Sequence, residues 1–369
     1  MTLMFCYAVM ETECTSLNTK LQLKLIYNRL DTFSEEELEM LQDNYLSSVA
    51  RHSRDKLKHI WNADIHDIVQ LIIDSVANRI TENLNIERSC FTFEAFHRYT
   101  TISSSRAMIL NGRKYFTPLA DMINYAPQQY TDDKFTDKVS SQHSNMFLQY
   151  HHLDEEGQTI IVKADRVVKP SHQIFEDYGP IDNSLFLEAF GFVPFHNPFH
   201  CALVELPSPH SNRTKDILHH LNLANFNPDG QMVYNTKNGA CVLMDGSFTH
   251  QHANAYLAVI ALERKEELRQ VASRCWDIVH NRDIRTNMQD VVNACIYYSG
   301  HQSAVKECLR EAARKSLERA ETTLDFDLSL LNSTTKSSRL MSTRAFIALQ
   351  FRIAEKRILT YIANGNSLR

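Results

Sequence analysis

Two short segments gather side chains that could do chemistry. One is Pro118-Leu119-Ala120-Asp121-Met122-Ile123-Asn124-Tyr125; the other runs from Tyr178-Gly179-Pro180-Ile181-Asp182-Asn183-Ser184 into Phe190-Gly191-Phe192-Val193. A phenol with its ordinary pKa near 10 acts at neutral pH as a hydrogen-bonding and orienting group. An asparagine amide offers both a donor and an acceptor, so it can read a zwitterion. On composition alone each segment is an apolar strand that ends in a turn.

Other chemistries fall on counting. The chain has nine glycines in 369 residues, and the closest two, Gly239 and Gly246, are seven positions apart. Dinucleotide fingerprints, the P-loop and the G-x-S-x-G elbow each need two glycines within five positions, so that backbone can approach a phosphate or turn sharply. Seventeen histidines invite a metal reading, through His151-His152, His219-His220, His250 with His252, and His196 with His200. None has a cysteine or carboxylate at ligand spacing, and adjacent histidines on a strand face opposite ways, so no metal is expected. Eight cysteines lie far apart without a C-x-x-C pair, which indicates neither a zinc knuckle nor a dense disulfide framework, and suits a reducing compartment.

Taken together, the two segments resemble something specific. PLADMINY resembles the P-x-x-D-x-x-N-H segment of the SET-domain protein methyltransferases, in the subgroup that includes the plant Rubisco lysine methyltransferase. DYGPIDNSLFLEAFGFV resembles that subgroup's tyrosine-glycine, asparagine and Gly-Phe-Val segment. Their order and separation of roughly fifty residues fit as well. So do Arg106 upstream and a C-terminal ETTLDFDLSLL and RAFIALQFRIAEKRIL, which resemble the subgroup's helical substrate-binding domain.

The resemblance implies S-adenosylmethionine as cofactor and transfer of its methyl group in line to a neutral amine, a reaction that depends mostly on positioning and desolvation. Tyr178 matches the active-site tyrosine, which also borders the cofactor. Asn124 matches the asparagine at the cofactor's amino-acid end. Tyr125 stands where the family has histidine, a position that serves the adenine through its backbone. Asp121 is expected to buttress the turn and Arg106 to contact the cofactor's carboxylate or ribose region; a structural ion pair is the competing reading for both. Phe190 and Asn183 are expected at the lysine channel, with Phe190 lining it or packing behind Tyr178. Two departures stand out. The family's glycine-rich turn at the methionine end has no counterpart before Gly112, so the first lobe of the SET fold is expected to be missing. Ser171-His172 replaces the usual Gly-Glu.

These residues must be positioned by the elements around them. Ser34 followed by Glu37 makes a capping box, flanked by Phe33 and Leu38 at the staple positions, and starts a helix at Glu35. Ile65, Ile68, Val69, Ile72, Ile73, Val76 and Ile80 form a helical apolar stripe that must lie against another element. NMFLQYHHL and TIIVKAD flank DEEGQ as two strands joined by a turn at Gly157. After the punctuation of PFHNPFH and an irregular stretch, the chain returns to helical periodicity through to RAFIALQFRIAEKRILTYI.

The layout is therefore α+β: an incomplete SET-type β fold at 1–198 with a helical insertion at about 30–100, followed by an all-α substrate-binding domain at 199–369. The net charge of −5 gives no broad footprint for nucleic acid or anionic membrane. With no apolar run long enough to span a bilayer and no signal peptide, the chain reads as intracellular, in cytoplasm or nucleus. The expected function is that of an S-adenosylmethionine-dependent protein-lysine N-methyltransferase with a lysine-bearing protein substrate. The alternatives are a non-catalytic SET-like module that binds a partner, and a methyltransferase acting on a protein histidine.

Overall fold

The computed structural model describes residues 28–79, 92–110, 112–117, 120–125, 151–154, 156–157, 159–162, 170, 175–176, 178–195, 197–212, 214–215, 218, 225–226, 232–233, 240–247, 256–257, 259–261, 302–336 and 341–365. The expectations for 1–27, for Ser171-His172, for Ile80 and for the helices between 262 and 301 lie outside them. The chain divides into two compact units, Met1–Asn197 with Ser342–Ala348, and Pro198–Met341 with Leu349–Arg369.

The first unit opens as its sequence dictates. Ser34 and Glu37 close a reciprocal capping box around α1 (Glu35–Glu39), satisfying two backbone donors that a helix start leaves open. Phe33 and Leu38 are both buried beside it. Helix α2 (Asn44–Ile60) is capped by Asp43 and runs through a π-turn, Trp61–Ile65, into α3 (His66–Arg79). Of the apolar stripe that begins in this π-turn, Ile65 and Val69 are half-buried, whereas Ile68 is 47% exposed. Ile68 and Val69 flank Ile65 on opposite sides of one helix face, and Ile68, turned roughly 60° away from it, sits at the stripe's rim.

Helix α4 (Phe93–Arg106), capped by Thr92, presents His97 to Asp31 at 3.3 Å. Asp31 is buried, with Arg29 at 3.5 Å. Burial works against its charge, but the hydrogen bond from His97 and the Arg29 guanidinium together hold its carboxyl below the usual carboxylate range.

Five short ladders follow among the described residues. In the first unit β1 (Met108–Leu110) pairs antiparallel with β2 (Arg113–Tyr115), and β4 (His151–Leu153) with β5 (Ile160–Val162) around the expected turn at Gly157, whose φ is +70°. Between them in sequence lies β3 (Asn124–Tyr125), which pairs in parallel with β6 (Phe175–Glu176), in the register Asn124 to Phe175 and Tyr125 to Glu176.

The second unit contains strands within the stretch whose sequence reads as irregular. β7 (Cys201–Val204) pairs antiparallel with β10 (Ala240–Leu243), and β8 (Asn225–Phe226) with β9 (Met232–Val233). Cys201 and Cys241 are joined by a disulfide across β7 and β10, a pairing that forty residues of separation gave no sign of. Ala202, Val204 and Val242 enter a core with Leu257, Ile260, Leu309, Ala312, Ile358 and Ile362. Helices α6 (Gln302–Arg319), α7 (Leu324–Lys336) and α8 (Thr343–Ala363) complete the described part. No helix among the described residues is long and apolar enough to cross a membrane.

Candidate active site

The parallel pairing of β3 with β6 brings the two chemical segments together. Tyr178 lies two residues beyond β6, and its hydroxyl donates to the carbonyl of Ile123, immediately before β3, at 2.9 Å. That bond, across 55 positions of sequence, fixes the phenol beside Asn124. Asn124 itself is exposed, while Tyr125 and Tyr178 are half-buried.

Around the phenol stands an aromatic cluster. Ring centroids lie 4.9 Å apart for Tyr178 and Phe190, 5.4 Å for Tyr178 and Tyr125, and 4.7 Å for Tyr125 and Phe186. Phe192 closes the group at 5.8 Å from Tyr125 and 5.1 Å from Phe186. These ring planes are tilted by 42–59° to one another, between the stacked and edge-to-face limits and away from the disfavoured face-to-face sandwich.

The cluster's second wall is built locally. Asp182 caps the short helix α5 (Asn183–Leu185) by accepting from the backbone of Leu185 at 2.7 Å. α5 passes into a π-turn, Phe186–Phe190, which ends at Gly191 in the left-handed region. Single π-turns occur often at functional sites. Phe186 and Phe190, four residues apart, point to one face of this turn. Gly191 packs so closely on the Asn28–Arg29 backbone that a Cβ there would lie 2.6 Å from Arg29 N and from Asn28 C. Glu188 in the same turn is half-buried, and burial pushes its carboxyl above the usual carboxylate range against the pull of Arg29.

The remaining expected residues divide into two positions. Arg106 Nη1 reaches the Asp121 carboxylate at 3.4 Å and its backbone carbonyl at 3.3 Å, so these two are brought to each other as an ion pair at the turn preceding β3. Asn183 is buried, and its side-chain oxygen accepts from Asn197, whose amide also donates to the Ile181 carbonyl. This anchors the start of α5. Phe186 and Phe192 are the cluster members that site reasoning on the sequence did not single out. Their signal was the i, i+4 spacing of Phe186 with Phe190 and the alternation across Gly191.

Comparison with known proteins defines the class first. A crystal structure of the SET domain of LSMT bound to lysine and AdoHcy superposes with a TM-score of 0.55 at 18% identity, covering 92% of this chain and 67% of that chain. A structure of Rubisco LSMT bound to AdoMet gives 0.52 at 18% identity with the same coverages. One of Rubisco LSMT bound to sinefungin and monomethyllysine gives 0.52 at 19%. The fold is thus that of the SET-type lysine methyltransferases. In the second half, residues 219–359 match the family described as Rubisco LSMT substrate-binding, in keeping with the fold of those solved structures. No curated protein sequence matches the chain.

Proposed function

We propose that the chain is an S-adenosylmethionine-dependent protein methyltransferase acting on a lysine side chain. One observation carries the reading: the Tyr178 hydroxyl bound to the Ile123 carbonyl, which ties the phenol and its aromatic wall to the backbone that leads into the exposed Asn124. The similar solved structures hold AdoMet, AdoHcy, lysine or monomethyllysine, ligands of the same reaction.

The donor set suits the cofactor. Asn124, exposed on β3, carries the donor and acceptor that an amino-acid zwitterion needs. Arg106 engages Asp121 through Nη1, and a guanidinium has further N–H groups for a carboxylate or ribose. When bound, S-adenosylmethionine would supply an electrophilic sulfonium methyl group.

The chain's own residues do the rest. Tyr178 commits its proton to Ile123 and so meets a third group only as an acceptor, which suits an amine N–H or a polarised methyl. Phe190, 4.9 Å from the phenol ring, offers an apolar wall for an alkyl stem. Such a wall lowers the pKa of an amine by desolvation, favouring its nucleophilic neutral form. Residues 219–359 would hold the protein substrate.

The test is transfer of labelled methyl from S-adenosylmethionine to proteins of a cell extract, with acid hydrolysis to identify the acceptor. Methyl-lysine is the expected product, and Tyr178→Phe should reduce it by about 10²-fold or more, since one hydroxyl that orients the reaction is removed at constant shape. No label, or label on histidine, would overturn the assignment.

A further inference from the structure

We propose that Tyr125 is a positioning residue, holding the Tyr178 ring through its own side chain; the inference rests on the reading of Tyr178 as the active-site phenol. The resemblance assigns position 125 to the cofactor through its backbone and puts a histidine there. In this chain a larger ring occupies the position, and it points into the aromatic cluster.

The geometry gives the phenol two anchors from one stretch of backbone. Its hydroxyl is bound to the carbonyl of Ile123, and its ring meets that of Tyr125, two residues further along, at 5.4 Å and a tilt of 59°. A hydrogen bond at the tip alone leaves the ring free to tilt about it. The Tyr125 ring removes that freedom because it is itself backed by Phe186 at 4.7 Å, and Phe186 is completely buried. On the opposite element Phe190 touches the phenol ring at 4.9 Å. The phenol is thus clamped between a β3 residue and a residue of the π-turn. Reactive groups must be held within about 0.5 Å or 10–20° of their productive geometry, and a displacement of about 1 Å can lower a rate on the order of 10²-fold.

The full chain is compared with Tyr125→Phe, Tyr125→Leu and Tyr125→Ala by steady-state methyl transfer and by titration with S-adenosylhomocysteine. The same variants are read by the fluorine resonance of 3-fluorotyrosine placed at position 178. Tyr125→Phe keeps the ring and should retain kcat within about threefold. Tyr125→Leu, which fills the space without a ring plane, and Tyr125→Ala should lose about 10²-fold in kcat, with the S-adenosylhomocysteine Kd changed less than threefold and a moved fluorine resonance. A loss that falls on Kd or KM with kcat retained would make Tyr125 a cofactor or substrate contact and overturn the proposal. So would equal loss in Tyr125→Phe, or a fluorine resonance that the leucine and alanine variants leave in place. If the unaltered chain transfers no methyl, the methyltransferase reading fails; the fluorine resonance then decides separately whether Tyr125 holds Tyr178.

Discussion

Gly191→Ala tests the scaffold of the aromatic wall at its tightest point. Gly191 has φ +78°, and a Cβ would meet Arg29 N and Asn28 C at 2.6 Å and Asn28 O at 2.9 Å. These are backbone atoms, so no side chain can swing aside. An L-residue in the left-handed region costs roughly 1–2 kcal/mol, partly offset by roughly 0.4–1 kcal/mol of entropy removed from the unfolded chain. Forcing apart two packed backbones adds about 1–3 kcal/mol. The expected total is about 1–5 kcal/mol, about 1–3 kcal/mol above the conformational cost alone. Gly157→Ala supplies the control: it has φ +70° and open space around the would-be Cβ, so it carries the conformational cost alone, about 1 kcal/mol. Urea unfolding followed by circular dichroism should give a lower midpoint for Gly191→Ala than for Gly157→Ala at similar slope. Equal losses would refute the close approach between the π-turn and the Asn28–Arg29 segment.

Two further perturbations probe the second unit. Asp327 is fully buried and paired with Lys356 at 2.7 Å and Arg352 at 2.8 Å. Asp327→Asn strands two buried cations and should cost about 3–5 kcal/mol. Lys356→Met leaves Asp327 with Arg352 and Thr322 and should cost much less; similar losses on urea unfolding would contradict the shared-carboxylate account. His200 is buried, 3.7 Å from Glu355 and with its ring 5.9 Å from that of Phe351, and burial lowers its pKa to about 3. The unfolded chain takes up a proton near pH 6.5 that the folded one refuses until about pH 3, so stability falls as pH drops through that window. Between pH 7 and pH 5 the loss from this group is about 2 kcal/mol, and His200→Phe should flatten the pH dependence by that amount; an unchanged slope would count against a buried neutral imidazole.

What the sequence made legible was local or motif-borne. The Ser34 and Glu37 cap and the Gly157 turn are each written within a few residues, where side chain and backbone meet without help from the rest of the fold. The approach of the β3 end to Tyr178 is foreshadowed by the motif resemblance and not by periodicity, because strands of two residues are too short to show an alternation. The Cys201 to Cys241 disulfide and the β7 and β10 pairing join positions forty residues apart, too far for a local turn to fix a register. The exposure of Ile68 and the burial of Asn183 depend on what lies across from each residue, which spacing alone does not specify. Phe186 and Phe192 were visible as aromatic residues, but only the π-turn shows that they share one cluster with Tyr178.

The central claim, that the β3 end and Tyr178 border a site for a methyl donor, is tested most directly by calorimetric titration with S-adenosylhomocysteine. The account predicts saturable binding to the unaltered chain, a Kd raised about tenfold or more by Asn124→Ala through the lost hydrogen bonds to a charged group, and near-normal binding to Tyr178→Phe. No heat at millimolar ligand, or a Kd that Asn124→Ala leaves unchanged, would contradict it.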